Sequence, residues 1–290
     1  MGQTVWTILA LIRWADERFK REGMATPRLD AEVLLAETLG TDRVGLYTHF
    51  DQPLQPDELA RFKELIRRRL RREPVAYILG KKEFWSLSLR VTPDVLIPRP
   101  ETEALVAEAL KILTPAEGKD FRILEIGTGS GAISIALARE LPAAKVVATD
   151  LSPKALALAG ENALRCGVRE RVQFLQGDLF LPVEKEDAFD LIVTNPPYIP
   201  RGEFPSLMPE VRDYEPKVAL DGGKDGLDFF RRVLPAVGDH LRPGGWFLAE
   251  MGAGQDPQII RIAEKNPGLG SFGFAKDLSG IDRVFKARRK

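Results

Sequence analysis

From about residue 100 onward, short apolar runs alternate with longer segments whose apolar residues have helical spacing. This alternation predicts an α/β domain with a mostly parallel sheet and helices on both faces. The last two predicted strands, 271–275 and 281–286, follow each other without a helix between them. Parallel neighbours need a long crossover, so this end of the sheet is predicted to be antiparallel. The predicted strands are 121–126, 145–149, 172–175, 189–194, 245–251, 271–275 and 281–286, and the predicted helices are 101–113, 130–141, 153–166, 226–241 and 255–265.

The first 73 residues have helical character instead. A helix is predicted at 26–40, because a proline lies at the start of this segment and a glycine at its end. Phe62, Leu65, Ile66 and Leu70 form the apolar stripe of a later helix. We therefore expect a small helical bundle over residues 1–73, with helices at 4–22, 26–40, 42–48 and 56–72.

Residues 74–99 are expected to form a β-hairpin that links two domains. Trp85, Leu87, Leu89 and Val91 alternate with polar residues, which is the periodicity of a strand. The expected partner strand is 95–97, reached through a turn at 92–94. The predicted domains are thus 1–73, 74–99 and 100–290.

Composition excludes several classes of protein. Lys and Arg together number 42, as do Asp and Glu, and this zero net charge argues against a broad, non-specific nucleic-acid binder. One cysteine excludes an internal disulfide framework, and one cysteine with two histidines makes a zinc site improbable, so we expect no metal. Residues 5–12 have the spacing of an amphipathic helix rather than of a signal peptide. No apolar run is long enough to span a membrane, so the cytoplasm is the expected location.

A glycine-rich turn follows the first strand of the alternating region and opens a helix. Its residues Gly127, Thr128, Gly129, Ser130 and Gly131 allow a tight turn and let backbone N–H groups approach a ligand closely. The next strand ends at the acid Asp150, 19 residues after the last glycine, where its carboxylate can accept hydrogen bonds from both hydroxyls of a ribose. Together these features predict a nucleoside-containing cofactor. A dinucleotide remains an alternative, because Gly127, Gly129 and Ala132 also fit the G-x-G-x-x-G/A fingerprint.

Asp178 and Leu179 follow the third predicted strand. Asp178 is positioned to accept a hydrogen bond from an adenine amino group, and Leu179 to pack on the adenine ring. Gly-Asp is also common in turns, so the prediction depends on the position of this pair at a third successive strand end.

Asn195, Pro196, Pro197 and Tyr198 follow the fourth predicted strand, 189–194. Two consecutive prolines cannot donate backbone hydrogen bonds, so the strand must stop there with a fixed shape. An amide and an aromatic ring are then left at the carboxyl end of a strand, which is where open α/β sheets bind ligands. The Asn195 side-chain oxygen and the Pro196 carbonyl are each able to accept one N–H of a planar NH2 group, and Tyr198 is able to stack on it. The tetrad therefore predicts a substrate with such a group.

The glycine loop, the acid and the tetrad together resemble class I methyltransferases that use S-adenosylmethionine. Three further segments, 98–103, 214–227 and 248–255, narrow the resemblance to the peptide-chain release factor glutamine N5-methyltransferases, the PrmC/HemK family. The resemblance covers nearly the whole chain. Two positions depart from the family pattern: Leu179 stands where an aromatic residue is common, and Glu125 where Asp is frequent.

This resemblance implies a seven-stranded, mostly parallel, Rossmann-like methyltransferase sheet with an antiparallel last strand, preceded by a helical domain that recognises the substrate. It implies that the cofactor is S-adenosylmethionine, leaving S-adenosylhomocysteine, and that Gly127–Gly131, Asp150, Asp178, Leu179 and Asn195 bind it. Catalysis then falls to residues 195–198. The implied substrate is the glutamine of the Gly-Gly-Gln tripeptide in class-1 release factors.

Two other functions remain open on the sequence. The first is an amino-group methyltransferase for DNA adenine or ribosomal RNA guanine, which shares Asn-Pro-Pro-Tyr but is disfavoured by the zero net charge. The second is a nicotinamide oxidoreductase or a nucleoside-binding module, in which the tetrad has no evident role. We expect a monomer without a stable nucleic-acid partner or a membrane contact.

Arg67, Arg68, Arg69, Arg71 and Arg72 are expected to form a basic face on the last helix of the bundle. One hypothesis is that they contact an acidic face of the release factor and assist encounter. A solvated helix surface paired with local acids is the alternative.

Overall fold

The computed structural model describes residues 6–113, 120–184 and 188–290; residues 4 and 5 of the first predicted helix lie outside this part of the chain. The chain divides into two units. The first comprises Met1–Gly80 with Pro209–Tyr214, and the second Lys81–Met208 with Glu215–Lys290. A short segment that follows the tetrad in sequence thus belongs to the first unit. None of the described helices combines the length and apolar character needed to cross a membrane.

The first unit is a helical bundle, as predicted. Helix α2 (Pro27–Leu39) begins with proline at its first turn and is capped by Gly40, which adopts the left-handed conformation (φ 63°) that only glycine enters at little cost. Leu11, Leu34, Leu35 and Phe62 are fully buried at the centre of the bundle. A fifth short helix follows the four predicted ones. The helices are α1 (Ile8–Arg21), α2 (Pro27–Leu39), α3 (Arg43–Thr48), α4 (Pro56–Leu70) and α5 (Val75–Leu79), with α9 (Pro209–Arg212) from the later segment.

The expected basic face on α4 is largely neutralised by partners within this unit. Arg69 is only 5% exposed, and it donates to Asp30 (Nε to Oδ2, 2.7 Å) and to Glu210 (Nη2 to Oε1, 2.8 Å). Arg72 also pairs with Glu210 (3.1 Å), and Arg68 pairs with Glu73. The prediction of a basic face was therefore wrong for these three residues, because Arg69 and Arg72 pair with acids distant in sequence and Arg68 pairs with the nearby Glu73.

The second unit begins with a β-hairpin of β1 (Lys81–Phe84) and β2 (Leu87–Arg90). The expected pairing with residues 95–97 was wrong. The strands are joined by Trp85 and Ser86, which both have positive φ (50° and 57°), as a tight two-residue hairpin turn requires. Trp-Ser is not a typical sequence for such a turn, so the turn could not be recognised from residue types.

Seven strands form the sheet of this unit: β3 (Arg122–Ile126), β4 (Lys145–Asp150), β5 (Val172–Gln176), β6 (Phe189–Thr194), β7 (Leu241–Glu250), β8 (Leu269–Lys276) and β9 (Asp282–Arg289). Their order in the sheet is β5-β4-β3-β6-β7-β9-β8. Neighbouring strands are parallel except for β9, which runs antiparallel to both β7 and β8. The predicted antiparallel end is thus confirmed, and β6 lies between β3 and β7 at the centre.

Buried side chains cover both faces of the sheet. Successive residues of the central strands belong to different apolar clusters: Ile123 and Leu191 to one, Leu124 and Ile192 to the other. Strands buried on both faces appear as continuous apolar runs, which explains why β6 was predicted with its observed bounds.

The helices of this unit are α6 (Glu103–Leu113), α7 (Ala132–Glu140), α8 (Pro153–Arg165), α10 (Asp228–Val233), α11 (Val237–His240) and α12 (Asp256–Ala263), with short 3₁₀ turns at Pro100–Thr102, Arg169–Arg171, Arg201–Ser206 and Lys217–Ala219.

The single helix predicted over 226–241 was wrong, since α10 ends at Val233 and α11 begins only at Val237. Pro235 lies between them. Proline has no N–H to donate and disfavours helical geometry in the residue before it, so a continuous helix cannot pass through this position.

Replacing Arg69 by methionine is expected to lower the free energy of unfolding by about 3–5 kcal/mol, because the buried Asp30 carboxylate would lose its cationic partner and Glu210 would keep only Arg72. The matched control is Arg67→Met on the same helix, where the side chain is 60% exposed and pairs with Glu64. The control should change stability by no more than about 0.5 kcal/mol. Urea unfolding of both variants measures the difference, and equal effects would contradict a stabilising role for the buried cluster.

Candidate active site

A cavity of about 330 Å³ lies within the second unit, at the carboxyl ends of its parallel strands. The carboxyl edge of a parallel sheet is the expected place for a ligand. The cavity brings together most of the predicted site residues. Those that line it are Gly127, Thr128, Gly129, Ser130, Asp150, Asp178, Leu179, Asn195 and Pro197, whereas Gly131, Pro196 and Tyr198 do not.

The glycine loop connects β3 to α7 and keeps its backbone close to the cavity. Gly127 and Gly129 have positive φ (74° and 55°), and a Cβ at either position would meet no atom within 4 Å. Gly131 has a different role, because a Cβ there would lie 2.9 Å from Ile135 and 3.1 Å from Ala159. The first two glycines therefore serve the turn beside the cavity, and the third allows α7 and α8 to pack closely.

Asp150 ends β4 and is held by two backbone donors. Its Oδ2 accepts from the N–H of Gly129 and its Oδ1 from the N–H of Ser152, each at 2.9 Å. These bonds fix the carboxylate at the cavity wall next to the glycine loop. A ribose bound there would meet an acceptor that is already oriented.

Glu125, the residue before Ile126 at the end of β3, is a buried acid behind the loop. Its Oε2 accepts from Thr128 Oγ1 (2.6 Å) and from the N–H of Ser134 (3.1 Å). Burial raises the pKa of Glu125 to about 7, and these hydrogen bonds oppose the rise only in part. The carboxylate thus ties the loop to the first turn of α7 and titrates near neutral pH.

Asp178 and Leu179 lie on the cavity wall after β5, as predicted. Asp178 Oδ2 accepts from Arg232, a residue of α10 that also lines the cavity and that sequence reasoning missed. Asp178 Oδ1 is buried, and no described residue forms a hydrogen bond with it. Buried polar atoms are normally hydrogen-bonded, so this oxygen fits a ligand donor such as an amino group. Leu179 has positive φ (51°), which marks a constrained backbone at the same place.

Asn195 follows β6 and is joined to a buried acid through one hydroxyl. Its Nδ2 donates to Thr102 Oγ1 (3.0 Å), and Thr102 Oγ1 donates to Glu250 Oε2 (2.6 Å). The Tyr198 hydroxyl donates to the other carboxylate oxygen, Glu250 Oε1 (3.1 Å). Thr102 and Glu250 had not been predicted as site residues, although both lie in segments that carry the family resemblance.

Burial dominates the electrostatics of this network. It raises the pKa of Glu250, against the hydrogen bonds from Thr102 and Tyr198, which lower it. Burial, together with the Glu250 charge, also raises the pKa of Tyr198 above its ordinary value. The phenol therefore keeps its proton near neutral pH and cannot act as a general base there.

The backbone of the tetrad is held from the opposite side by residues 220–226 and by Gln255. Gln255 Nε2 donates to the Tyr198 carbonyl (3.0 Å), and the Gly222 N–H donates to the Ile199 carbonyl (2.9 Å). Space there is minimal, since a Cβ on Gly226 would lie 2.3 Å from the Tyr198 carbonyl oxygen. The glycines of this segment therefore permit close contact with the tetrad.

Glu215 joins two more of the segments that carry the resemblance. It is buried, and its carboxylate accepts from the N–H of Ile97 (3.2 Å) and from the Arg99 guanidinium. This places the chain that enters the 3₁₀ turn at Pro100–Thr102 next to Glu215. Within the described ranges, no group of three or more His, Cys, Asp or Glu residues is arranged to hold a metal ion.

The sheet order, the cavity over the glycine loop and the tetrad beside it define a methyltransferase-type α/β domain. A family model described as a methyltransferase domain matches residues 123–214, and one described as the PrmC N-terminal domain matches residues 10–80. A solved structure, a methyltransferase from Pyrococcus furiosus, superposes with a TM-score of 0.52 at 23% identity, covering 71% of this chain and 91% of that one. That likeness concerns the fold alone.

Relatives of known name share nearly the full length of the chain. The release factor glutamine methyltransferase of Geobacter sulfurreducens is 48% identical, covering 98% of this chain and 97% of its own. That of Rhodopirellula baltica is 40% identical, covering 99% and 98%. The chain belongs to the release factor glutamine methyltransferase family, and it is a methyltransferase.

Glu125→Gln is expected to change how stability depends on pH. The folded-state pKa of Glu125, about 7, lies above its ordinary value of 4.5, so the folded protein binds this proton more tightly than the unfolded chain. The resulting stabilisation is complete below about pH 4.5 and is lost as pH rises to about 7, by at most about 3 kcal/mol. Glutamine keeps an acceptor oxygen but does not titrate, so the variant does not lose stability in this way as the pH rises.

Urea unfolding of wild type and Glu125→Gln from pH 4.5 to pH 8 measures this difference. The variant should gain stability relative to wild type as the pH increases. Glu170→Gln, at an exposed position, serves as the control and should show no comparable trend. A constant difference between wild type and Glu125→Gln across this range would contradict the raised pKa.

Gly226→Ala tests whether the tetrad depends on the close contact behind it. Both Gly226 (φ 81°) and Gly167 (φ 72°) have left-handed backbone, so alanine strains each by roughly 1 kcal/mol. Only at Gly226 does the new Cβ meet the Tyr198 carbonyl, since at Gly167 it meets nothing within 4 Å. We expect kcat/KM for methyl transfer to fall on the order of 100-fold in Gly226→Ala and to stay near wild type in Gly167→Ala. Similar activities in the two variants would refute this role.

Proposed function

We propose that this enzyme methylates the side-chain amide nitrogen, N5, of the glutamine in the Gly-Gly-Gln tripeptide of class-1 peptide chain release factors, with S-adenosylmethionine as the methyl donor. The observation that carries the proposal is that Asn195 shares one cavity with the glycine loop. The full-length relatives support the choice of substrate, because they are named for methylation of release factor glutamine.

The cavity residues fit a nucleoside-bearing methyl donor. The glycine loop leaves open space over Gly127 and Gly129, the Asp150 carboxylate is fixed for a ribose, and Asp178 Oδ1 is a buried acceptor without a described partner. Leu179 would pack on the adenine with an aliphatic side chain. When bound, S-adenosylmethionine supplies an electrophilic methyl group on a positively charged sulfur, and S-adenosylhomocysteine is the product that remains.

The tetrad would fix the plane of the glutamine amide. In this proposal the Asn195 side-chain oxygen and the Pro196 carbonyl each accept one N–H, while the Tyr198 ring packs on the amide. An amide nitrogen is a poor nucleophile because its lone pair is delocalised into the carbonyl. Orientation in favourable cases supplies roughly 7–11 kcal/mol of a barrier, so positioning is the contribution that this site can make.

The site has no need of a strong base. The nitrogen proton becomes acidic once nitrogen is alkylated, and it can pass to water. Tyr198 keeps its own proton, because burial raises the pKa of the phenol and its hydroxyl donates to Glu250. Tyr198 is thus assigned to packing and not to proton transfer.

The helical segment 1–73 serves substrate recognition, residues 74–99 link it to the catalytic domain 100–290, and the enzyme works as a monomer in the cytoplasm, where release factors act. No stable nucleic-acid partner is required.

The most direct test of the proposed function is transfer of a labelled methyl group to a class-1 release factor and to a variant of that factor. The variant has alanine in place of the Gly-Gly-Gln glutamine.

Label is expected in the intact release factor and not in the glutamine-to-alanine variant. Adenine-containing DNA and ribosomal RNA, offered in parallel, should stay unlabelled. Equal labelling of the two release factors would overturn the proposed substrate. Labelling of the nucleic acids alone would instead establish the alternative function.

Asn195→Ala should lower kcat/KM for the release factor on the order of 100-fold, because one acceptor for the substrate N–H is lost. Binding of S-adenosylhomocysteine, measured by calorimetry, should change much less, since the glycine loop, Asp150 and Asp178 remain. A rate equal to wild type would exclude Asn195 from substrate binding. A parallel loss of S-adenosylhomocysteine binding would mean that Asn195 acts on the cofactor instead.

A further inference from the structure

The role proposed for Asn195 depends on which end of its side-chain amide faces the cavity. A carboxamide carries an acceptor oxygen at one end and an NH2 donor at the other. A rotation of 180° exchanges them with almost no change in shape. Only the orientation with Oδ1 toward the cavity accepts an N–H from the substrate, and the opposite one would set donor against donor.

The hydrogen bonds behind Asn195 determine this orientation. When the Glu250 carboxylate is ionised it has no proton and can only accept, and Thr102 then directs its one hydroxyl proton to Glu250 Oε2, as in the hydrogen bond of 2.6 Å. Thr102 Oγ1 then has only lone pairs to offer Asn195, at 3.0 Å. The Asn195 amide must therefore present its Nδ2–H to Thr102, which leaves Oδ1 for the cavity.

The other contacts of the acid are consistent with this polarity. The Tyr198 hydroxyl donates to Glu250 Oε1 at 3.1 Å, so each carboxylate oxygen accepts one hydrogen bond from a hydroxyl group. Glu250 is only 1% exposed, which prevents water from replacing either donor. Among the described residues, no hydrogen-bond donor reaches Asn195 Oδ1. The network is thus directional from Asn195 to the carboxylate.

We propose that Glu250 and Thr102 are positioning residues that orient the Asn195 amide with its oxygen toward the substrate. Glu250 acts through Thr102, and Thr102 acts through Asn195. The kinetic part of this inference rests on the proposed function. The structural part, the fixed orientation of one amide, does not depend on any substrate.

The chain offers an unusually simple spectroscopic test, because it contains three asparagines: Asn162, Asn195 and Asn266. Protein labelled with ¹⁵N in asparagine should give three side-chain NH2 signals, and the Asn195 signal is identified by its loss in Asn195→Ala. Thr102→Val removes the acceptor of Nδ2 but keeps the shape of the side chain. We expect it to move the Asn195 signal and to leave the other two unchanged.

Thr102→Ser, the conservative variant, keeps a hydroxyl and should restore the Asn195 signal toward its wild-type position. Glu250→Gln replaces an obligatory acceptor by a group that can accept or donate, so the direction of the Thr102 proton is no longer fixed. The Asn195 signal in that variant should broaden or split, because both amide orientations become populated.

Kinetics on the release factor test the consequence for activity. Thr102→Val and Glu250→Gln are each expected to lower kcat/KM by about 10- to 100-fold, the range that applies when a residue orienting a metal ligand is removed. Binding of S-adenosylhomocysteine should remain within about twofold of wild type. In an Asn195→Ala background Thr102→Val should cause little further loss, because residues that act through one group are not additive.

Different failures have different meanings. An unmoved Asn195 signal in Thr102→Val would overturn the inference. It would also be overturned if Thr102→Val lowered kcat/KM by the same factor in the Asn195→Ala background as in wild type. A loss of kcat/KM explained wholly by weaker S-adenosylhomocysteine binding would do the same. If the release factor is not a substrate at all, the proposed function fails, while the NMR signal still decides whether the amide is held.

Discussion

The carboxylate of Glu250 is the group on which the geometry of the candidate site depends. It lies at the buried end of β7 and accepts hydrogen bonds from the hydroxyls of Thr102 and Tyr198. Thr102 in turn contacts Asn195, the first residue of the tetrad, and Tyr198 is its last residue. A buried carboxyl group without hydrogen-bond partners would be unfavourable, so the position of this acid depends on its two hydroxyl partners. The cost of burying Glu250 thus fixes the position of the residues that surround it.

Strand order explains why this acid and the glycine loop meet. The central strand β6 has β3 on one side and β7 on the other, and all three are parallel. Their carboxyl ends therefore share one edge of the sheet, with the glycine loop after β3, the tetrad after β6 and Glu250 at the end of β7. The order of the strands therefore brings the glycine loop close to the residues that hold the tetrad.

Sequence reasoning succeeded where the signal is local. A continuous apolar run that stops at two prolines gave β6 its observed bounds, and glycines after a strand located the turn beside the cavity. It failed where distant residues decide the outcome. The Trp85-Ser86 turn lacks the usual turn residues, and Arg69 is buried by a partner 141 residues away. Thr102 and Glu250, 148 residues apart, become a site only when β7 lies beside β6.

The segments that carry the family resemblance serve two physical purposes. Asn195, Thr102 and Glu250 form one chain of hydrogen bonds at the cavity. Gly222 and Gly226 are needed for space, because a Cβ at either position would lie within 2.8 Å of the Tyr198 backbone. Because the two backbone segments are so close, the Gln255 amide donates to the carbonyls of both Tyr198 and Gly226. The tetrad is rigid because of its prolines, but it is held in one place by residues whose sequence gives no hint of catalysis. A substitution among these glycines should therefore disturb activity without altering any group that touches the substrate.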